Sequence, residues 1–184
     1  SLHIETEPGK CDKEIDNYVF LAKTNEDERL NLVKELTKRI NLDKGGCMLA
    51  QNVSFEKGRL KELAEIYPEY SNELLNIMES GRDLLEIIDN NKELYKSLGF
   101  KEYDYNTSLS GSFSIKKTLP LFTNLSYKDL IIQNGVDALV EYANYKNMTE
   151  EEKEAKREAL KEYCKQDTWA MVEILNGLRK LVKS

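Results

Sequence analysis

Apolar and polar positions in the first fifty residues follow two different periods. Residues 1–4 alternate, and residues 18–22 form an apolar run, so both segments are predicted to be strands. Apolar residues three and four apart predict a helix over residues 25–40, and residues 47–50 form a wholly apolar strand after two glycines. Strand, helix and apolar strand in this order are typical of an α/β sheet flanked by helices.

Beyond residue 51 the pattern becomes mainly helical. Predicted helices cover residues 54–66, 71–80, 134–145 and 149–181. Thr149 and Glu152 form a capping box at the start of the last and longest helix. The short apolar segment 83–88 fits a strand or a helix start, and residues 103–112 have the composition of a loop. No repeat or linker divides the pattern, so residues 1–184 are interpreted as a single domain.

Composition and charge exclude several classes of protein. No run approaches eighteen apolar residues and the first residues lack a signal-peptide pattern, so we expect no membrane span and a cytoplasmic location. The 27 basic and 33 acidic residues give a net charge of −6, which argues against a non-specific nucleic-acid coat. An enzyme that holds nucleic acid through metal ions remains possible, because such sites are themselves acidic.

Cysteine and histidine usage narrows the chemistry further. The three cysteines are far apart and form no CxxC pair, which argues against a disulfide framework or a structural zinc site. The one histidine, His3, lies in the alternating segment at the start and is interpreted as a strand residue. With histidine and cysteine chemistry set aside, the candidate catalytic groups are carboxylates, tyrosines and bound metal.

Two carboxylates occur on apolar helix faces. Asp167 lies between Tyr163 and Met171 on one stripe of the last helix, and Glu56 lies four residues before Leu60 on the apolar face of its own helix. An unpartnered carboxylate facing an apolar interior costs several kcal/mol, so it must be hydrogen-bonded, ion-paired or bound to a metal. A position at the edge of the core is the structural alternative for both.

The position of Glu56 favours a metal. It follows the carboxyl end of the apolar strand 47–50, where open α/β sheets place their ligand sites. Mg²⁺ and Mn²⁺ prefer hard oxygen ligands of this kind.

Short motifs around both carboxylates resemble those of a known family. Residues 52–56 (Asn-Val-Ser-Phe-Glu) resemble the second motif of the DnaQ-like 3′–5′ exonucleases, Asn-x-x-Phe-Asp, with glutamate in place of aspartate. Residues 163–167 (Tyr-Cys-Lys-Gln-Asp) resemble the third motif, Tyr-x-x-x-Asp, in its tyrosine (DEDDy) form. Longer segments, at residues 54–63, 111–120, 125–130 and 163–168, are similar to a bacterial family of unknown function grouped with the ribonuclease H-like exonucleases. The resemblance covers nearly the whole chain and implies a ribonuclease H-like mixed sheet flanked by helices.

The first motif of that superfamily, Asp-x-Glu on the first strand, has no clear counterpart. Glu5-Thr6-Glu7 does not fit as a variant of this motif, because residues 1–4 match the family's second strand. We therefore expect the chain to start downstream of the first strand, and to be nearly inactive as a fragment without the carboxylates of that motif.

The resemblance implies two-metal hydrolysis of a phosphodiester at a 3′ end of single-stranded DNA or RNA. Four carboxylates would hold two Mg²⁺ or Mn²⁺ ions roughly 3.5–4 Å apart. Asp167 would be a direct ligand, and Glu56 would contact a metal directly or through water. Tyr163 would orient the attacking water, although a core tyrosine explains its position equally well.

Substrate contacts are the least specific part of the resemblance. Asn52 would bind substrate or cap the following helix, and Phe55 belongs to the same motif. Lys116 and Lys117 could touch a phosphate backbone, as could Lys128, but lysines are more often solvated. The rival to an exonuclease is a non-catalytic nucleic-acid-binding or protein-interaction module on the same fold. A further alternative is that the motif matches are accidental. The sequence leaves the oligomeric state open.

Overall fold

The computed structural model describes residues 1–23, 26–89, 91–99, 112–144 and 147–183. It is a mixed α/β structure whose chain contacts divide it into two compact units. The first unit combines residues 1–25 with residues 114–184, and the second unit is residues 26–113. The two ends of the chain thus belong to one unit, and the middle of the chain forms the other.

The described residues contain short strands and helices of very different lengths. In chain order they are β1 (Leu2–His3), β2 (Asn17–Tyr18), α1 (Arg29–Arg39), β3 (Leu49–Ala50), α2 (Ser54–Ile66), a 3₁₀ turn (Pro68–Tyr70), α3 (Ser71–Glu79), β4 (Arg82–Asp83), α4 (Leu85–Ile88), α5 (Lys92–Ser97), α6 (Ile115–Thr118), a second 3₁₀ turn (Leu119–Leu121), α7 (Gly135–Ala143) and α8 (Glu150–Lys183).

Within these ranges, no helix is both long enough and apolar enough to cross a membrane.

The first unit is organised around α8. β1 and β2 pair antiparallel with His3 opposite Asn17, and β1 packs on α8. His3 contacts α8 through its Nδ1, which lies 2.8 Å from the Thr168 hydroxyl, and through its ring, which lies against Trp169. The interpretation of His3 as a strand residue is therefore confirmed, and its ring serves to hold the strand on the helix.

The start and the middle of α8 follow from particular residues. The predicted capping box is present, because the Thr149 N–H donates to Glu152 and the Glu152 N–H donates to the Thr149 hydroxyl. Further along, a Cβ on Gly177 would lie 2.6 Å from the Phe122 ring. Only glycine permits this close approach of the second 3₁₀ turn to the helix.

The second unit has its core between three helices. Val33 of α1, Leu60 and Ala64 of α2, and Leu74 and Ile77 of α3 are buried together. Each of the valine, leucine and isoleucine side chains, when fully buried, contributes about 1.5–3 kcal/mol relative to an exposed one. This packing fixes α2, the helix that carries Glu56, against its neighbours.

The only sheet among the described residues of the second unit is a parallel pair. β3 and β4 align with Leu49 opposite Arg82 and Ala50 opposite Asp83. Both strands run toward the same edge, where the chain leaves β3 for α2 and leaves β4 for α4. The sheet edge predicted after the apolar strand is therefore present, and a second acidic residue, Asp83, reaches it.

Several predicted elements have different bounds in the structure. The helix 54–66 is confirmed. The strand predicted at 18–22 is regular only over Asn17–Tyr18, because β1 pairs with these two residues alone, and Val19 beyond them is exposed. The segment 83–88, which was predicted to be a strand or a helix start, contains both: the end of β4 and then α4. α1 begins only at Arg29, and Asn25, its predicted cap, lies outside the described residues, as do residues 103–111 of the predicted loop.

Candidate functional site

Asp167 lies in the middle of α8, one turn after Tyr163. Its neighbour Gln166 is only 3% exposed and donates from Nε2 to the Ser126 carbonyl at 3.3 Å. This hydrogen bond ties the segment that carries Tyr127 to the helix. Tyr127 and Tyr163 consequently lie together, with ring centroids 6.2 Å apart and planes inclined by 54°.

A lysine completes this cluster. The Nζ of Lys116 lies 5.1 Å from the centroid of the Tyr127 ring and 5.6 Å from that of Tyr163, and it donates to the Gln133 carbonyl. Aromatic faces attract a cation electrostatically, so the two rings and the carbonyl hold the ammonium group in place. Asp167, Tyr163, Tyr127 and Lys116 are called the Asp167 cluster below.

Burial dominates the electrostatics of the Asp167 cluster. It raises the pKa of Asp167 above its ordinary value, while the hydroxyls of Tyr127 and Tyr163 and the charge of Lys116 lower that pKa by smaller amounts. Burial, and then the negative charge of Asp167, raise the pKa of both tyrosines. Both tyrosines are therefore protonated donors at neutral pH.

Two atoms of the Asp167 cluster are buried without a hydrogen-bond partner among the described residues. They are Asp167 Oδ1 and Tyr127 Oη, and Tyr127 as a whole is 7% exposed. The two groups polarise each other without forming a hydrogen bond of standard geometry through these atoms. A buried polar atom in this state costs about 1–3 kcal/mol and needs an explanation such as a bound ion or water.

A cleft with a volume of about 230 Å³ adjoins the Asp167 cluster. Lys116 and Tyr127 belong to the Asp167 cluster and also line the cleft. Lys128 adds a second positive charge to the wall of the cleft. The other lining residues are Leu119, Pro120, Leu125, Ser126 and Gln133. The lining of the cleft thus combines apolar side chains with polar ones and two positive charges.

Glu56 lies in the first turn of α2, in the second unit. Its Oε2 is buried and has no hydrogen-bond partner in the part of the chain that the structure describes. The N-terminal end of a helix carries a partial positive charge, and Glu56 lies at that end of α2. Phe55 is 66% exposed beside it, with the guanidinium of Arg59 5.6 Å from its ring centroid.

The turn before α2 is held by Asp83 rather than by its own side chains. Asp83 Oδ1 accepts from the Asn52 N–H at 2.8 Å, and Oδ2 accepts from the Val53 N–H at 2.9 Å. Asn52 has φ of 67°, in the left-handed region, and α2 starts after Val53 with no side-chain cap. The alternative in which the Asn52 side chain caps α2 is therefore wrong, because the carboxylate of a neighbouring strand satisfies the backbone donors instead.

The predicted site residues form two groups. Lys116 joins Tyr163 and Asp167 in the first unit, and Asn52 and Phe55 flank Glu56 in the second unit. Lys117 lies in the last turn of α6, beside Lys116 in sequence.

Sequence reasoning missed two residues, Tyr127 and Asp83. Tyr127 lies in a segment noted only for its family resemblance. Asp83 lies at the end of a strand that the pattern left undecided. An acidic residue after a short strand at a sheet edge was the one available signal for it.

Metal ligands are incomplete within the described residues. No group of three or more His, Cys, Asp or Glu side chains could hold a metal ion there. The orphaned oxygens of Glu56 and Asp167 nevertheless suit a hard cation such as Mg²⁺ or Mn²⁺. Two carboxylates are fewer than the four that the resemblance calls for.

These features define a mixed α/β protein in which two half-buried helix carboxylates, Glu56 and Asp167, each have one buried oxygen without a hydrogen-bond partner among the described residues. Residues 1–114 match the family described as Domain of unknown function (DUF2779), and the chain belongs to that family.

Two curated relatives are uncharacterized proteins. One is uncharacterized protein MG366 of Mycoplasma genitalium, 33% identical over 148 residues, which cover 72% of this chain and 20% of the relative. The other is uncharacterized protein UU173 of Ureaplasma parvum serovar 3, 29% identical over 147 residues, which cover 73% of this chain and 21% of the relative. The chain therefore spans about a fifth of the length of these relatives. No solved structure matches it.

Proposed function

We propose that this chain is a metal-binding part of a ribonuclease H-like 3′–5′ exonuclease domain that hydrolyses phosphodiesters of DNA or RNA. One observation carries the proposal. The carboxylates that the two motifs single out, Glu56 and Asp167, each have a buried oxygen without a hydrogen-bond partner among the described residues. Such atoms are stable where a cation or water completes their coordination.

Glu56 and Asp167 are the proposed metal ligands in this chain. When bound, two Mg²⁺ or Mn²⁺ ions would activate the nucleophile and stabilise charge at the leaving 3′ oxygen. Asp167 must be ionised to bind, and its raised pKa makes its metal affinity fall as the solution is acidified. The activity is proposed for the full-length protein, because the matched region spans about a fifth of the relatives' length.

The remaining side chains of the Asp167 cluster have supporting roles in the proposal. Tyr163 remains protonated at neutral pH, so its hydroxyl can orient a water molecule beside Asp167. Lys116 supplies positive charge next to that carboxyl and lines the cleft, where a substrate phosphate could approach. Asn52, Phe55 and Lys117 are proposed substrate contacts on the strength of the resemblance.

The test uses the full-length protein with single-stranded DNA and RNA labelled at the 5′ end, in Mn²⁺. Asp167→Asn and Glu56→Gln remove one charge each, and Asp129→Asn is the matched control at an exposed position. We expect stepwise shortening from the 3′ end by the wild type and the control. Losing a metal ligand costs several kcal/mol of transition-state stabilisation, so both site variants should be slower by about 1000-fold.

Two results would contradict the proposal. If the folded wild type binds the labelled strands but does not shorten them, the non-catalytic binding module is the better account. If all four proteins shorten the strands equally, Glu56 and Asp167 do not carry the reaction.

A further inference from the structure

Asp83 is the last residue of β4, opposite Ala50, the last residue of β3. Its side chain therefore lies at the sheet edge where the chain turns from β3 into α2. The Leu84 N–H donates to the Ala50 carbonyl at 2.8 Å, so the backbone pairing of the two strands continues to this point. The strand pairing thus places the Asp83 carboxylate beside the turn.

Three backbone donors converge on this carboxylate. Oδ1 accepts from the N–H groups of Asn52 and Leu85, both at 2.8 Å, and Oδ2 accepts from the N–H group of Val53 at 2.9 Å. Two of the donors belong to the turn before α2, and the third belongs to α4. The carboxylate therefore joins the starts of two helices to each other and to the strand.

The conformation of the turn depends on that support. Asn52 has φ of 67°, which residues other than glycine seldom adopt, and Val53 is buried. No side chain within α2 caps its N-terminus. The Asp83 carboxylate replaces a conventional cap, and it acts from a neighbouring strand instead of from the residue before the helix.

Glu56 is only three residues beyond Val53, in the first turn of α2. The direction of that first turn sets where the Glu56 carboxylate points, and its Oε2 is buried without a partner among the described residues. Because Oε2 has no partner there, no hydrogen bond to that oxygen fixes the carboxylate, and its orientation depends more on the backbone of the first turn. Residues that orient a metal ligand through a second layer of hydrogen bonds commonly affect metal affinity strongly.

We propose that Asp83 is a positioning residue for Glu56, which fixes the turn 52–53 and thereby directs the Glu56 carboxylate toward a divalent cation. This inference rests on the proposed function, since it takes Glu56 to be a metal ligand. It adds a residue outside both motifs, whose role comes from three backbone hydrogen bonds.

The experiment follows Mn²⁺ binding to the ¹⁵N-labelled chain by paramagnetic broadening of backbone amide signals around residue 56. The variants are Asp83→Ala, which removes all three acceptors, and Asp83→Asn, whose oxygen can still accept from Asn52 and Leu85 while its amide faces the Val53 N–H. Asp43→Ala removes an exposed carboxylate of the same unit and is the matched control.

We expect the wild type and Asp43→Ala to broaden at the same Mn²⁺ concentration. Asp83→Ala should need about 10- to 100-fold more Mn²⁺, and Asp83→Asn should lie between, because it keeps two of the three hydrogen bonds. The number of dispersed amide signals reports whether each variant is folded. If Asp83→Ala unfolds, the Mn²⁺ concentrations that broaden Asp83→Asn and the wild type are compared instead, and their difference tests the positioning role.

Unchanged broadening in the folded Asp83 variants, with broadening lost in Glu56→Gln, would overturn the positioning role and leave the proposed metal ligand intact. Broadening that is absent from the wild type would overturn Glu56 as a metal ligand, and the inference with it.

Discussion

Glu56 and Asp167 are stabilised by different surroundings. Each carboxylate has a buried oxygen without a hydrogen-bond partner among the described residues. Glu56 lies in the first turn of α2, where the helix end favours its charge and Asp83 holds the preceding backbone. Asp167 lies in the middle of α8, far from either helix end, and depends on the side chains of two tyrosines and a lysine.

The difference predicts which changes each carboxylate tolerates. Around Glu56 the support is a set of short backbone hydrogen bonds, so removing the acceptor should affect local folding. Around Asp167 the support is electrostatic and passes through the hydroxyls of Tyr127 and Tyr163 and the ammonium of Lys116. Changes there should alter the pKa of Asp167 more than they alter the fold.

The largest expected effect is on the Glu56 side. Asp83→Ala leaves the N–H groups of Asn52, Val53 and Leu85 without their acceptor, and we expect it to lower the free energy of unfolding by about 2–4 kcal/mol. Urea denaturation followed by circular dichroism measures this. Asp43→Ala, at an exposed position of the same unit, should change stability by less than about 0.5 kcal/mol. Equal stabilities of the two variants would contradict the role of Asp83 in the turn.

A smaller effect of opposite sign is expected on the Asp167 side. Folding raises the pKa of Asp167, so the unfolded chain ionises more readily, and stability falls as the pH rises through that pKa. The Asp167→Asn side chain cannot ionise, so the variant does not lose stability in this way as the pH rises. In metal-free buffer it should be more stable than the wild type by about 1–3 kcal/mol at pH 7 and equally stable below about pH 3.9, the ordinary pKa of aspartate.

Thermal unfolding of both proteins across this pH range, with a chelator present, checks the sign. A wild type that is more stable than Asp167→Asn at pH 7 would show that its carboxylate makes stabilising contacts. If Asp167 is a metal ligand as proposed, saturating Mn²⁺ should stabilise the wild type more than Asp167→Asn, because a ligand that binds the folded state raises its stability.

The smallest expected effect is on the pKa of Asp167 itself. Tyr127→Phe removes a hydroxyl that lowers this pKa, so the pKa should rise further. Stability should be unchanged or slightly higher, because the lost Oη has no hydrogen-bond partner among the described residues. An NMR titration of the Asp167 carboxyl carbon measures the shift, and Tyr142→Phe, elsewhere in the first unit, is the control. A lowered pKa in Tyr127→Phe would contradict the proximity of the two groups.

Features that depend on interactions within a few residues of the chain were predicted correctly. The helix over Ser54–Ile66 and the capping box of α8 were predicted from spacing and local hydrogen-bonding chemistry alone. Mixed α/β character was predicted as well. Glu56 and Asp167 were singled out because a charged residue on an apolar helix face departs from the periodic pattern, and each does have one buried oxygen.

Other features depend on residues far apart in sequence, and the linear pattern did not predict them. Asp83 supports a turn about thirty residues earlier in the chain, and it does so only because β3 and β4 pair in parallel. Tyr127 comes next to Tyr163 because Gln166 hydrogen-bonds the Ser126 carbonyl. A periodic pattern records which face of an element is apolar, and it does not record which element will cover that face.

The sequence by itself therefore determined the helices, the mixed α/β class and the two carboxylates, because each depends on interactions within a few residues of the chain. Only the tertiary structure decided that Asp83 holds the Asn52 turn and that Tyr127 and Lys116 join Tyr163 beside Asp167. Those contacts depend on strand pairing and helix packing, which bring together groups that are separated along the chain by 30 to 50 residues.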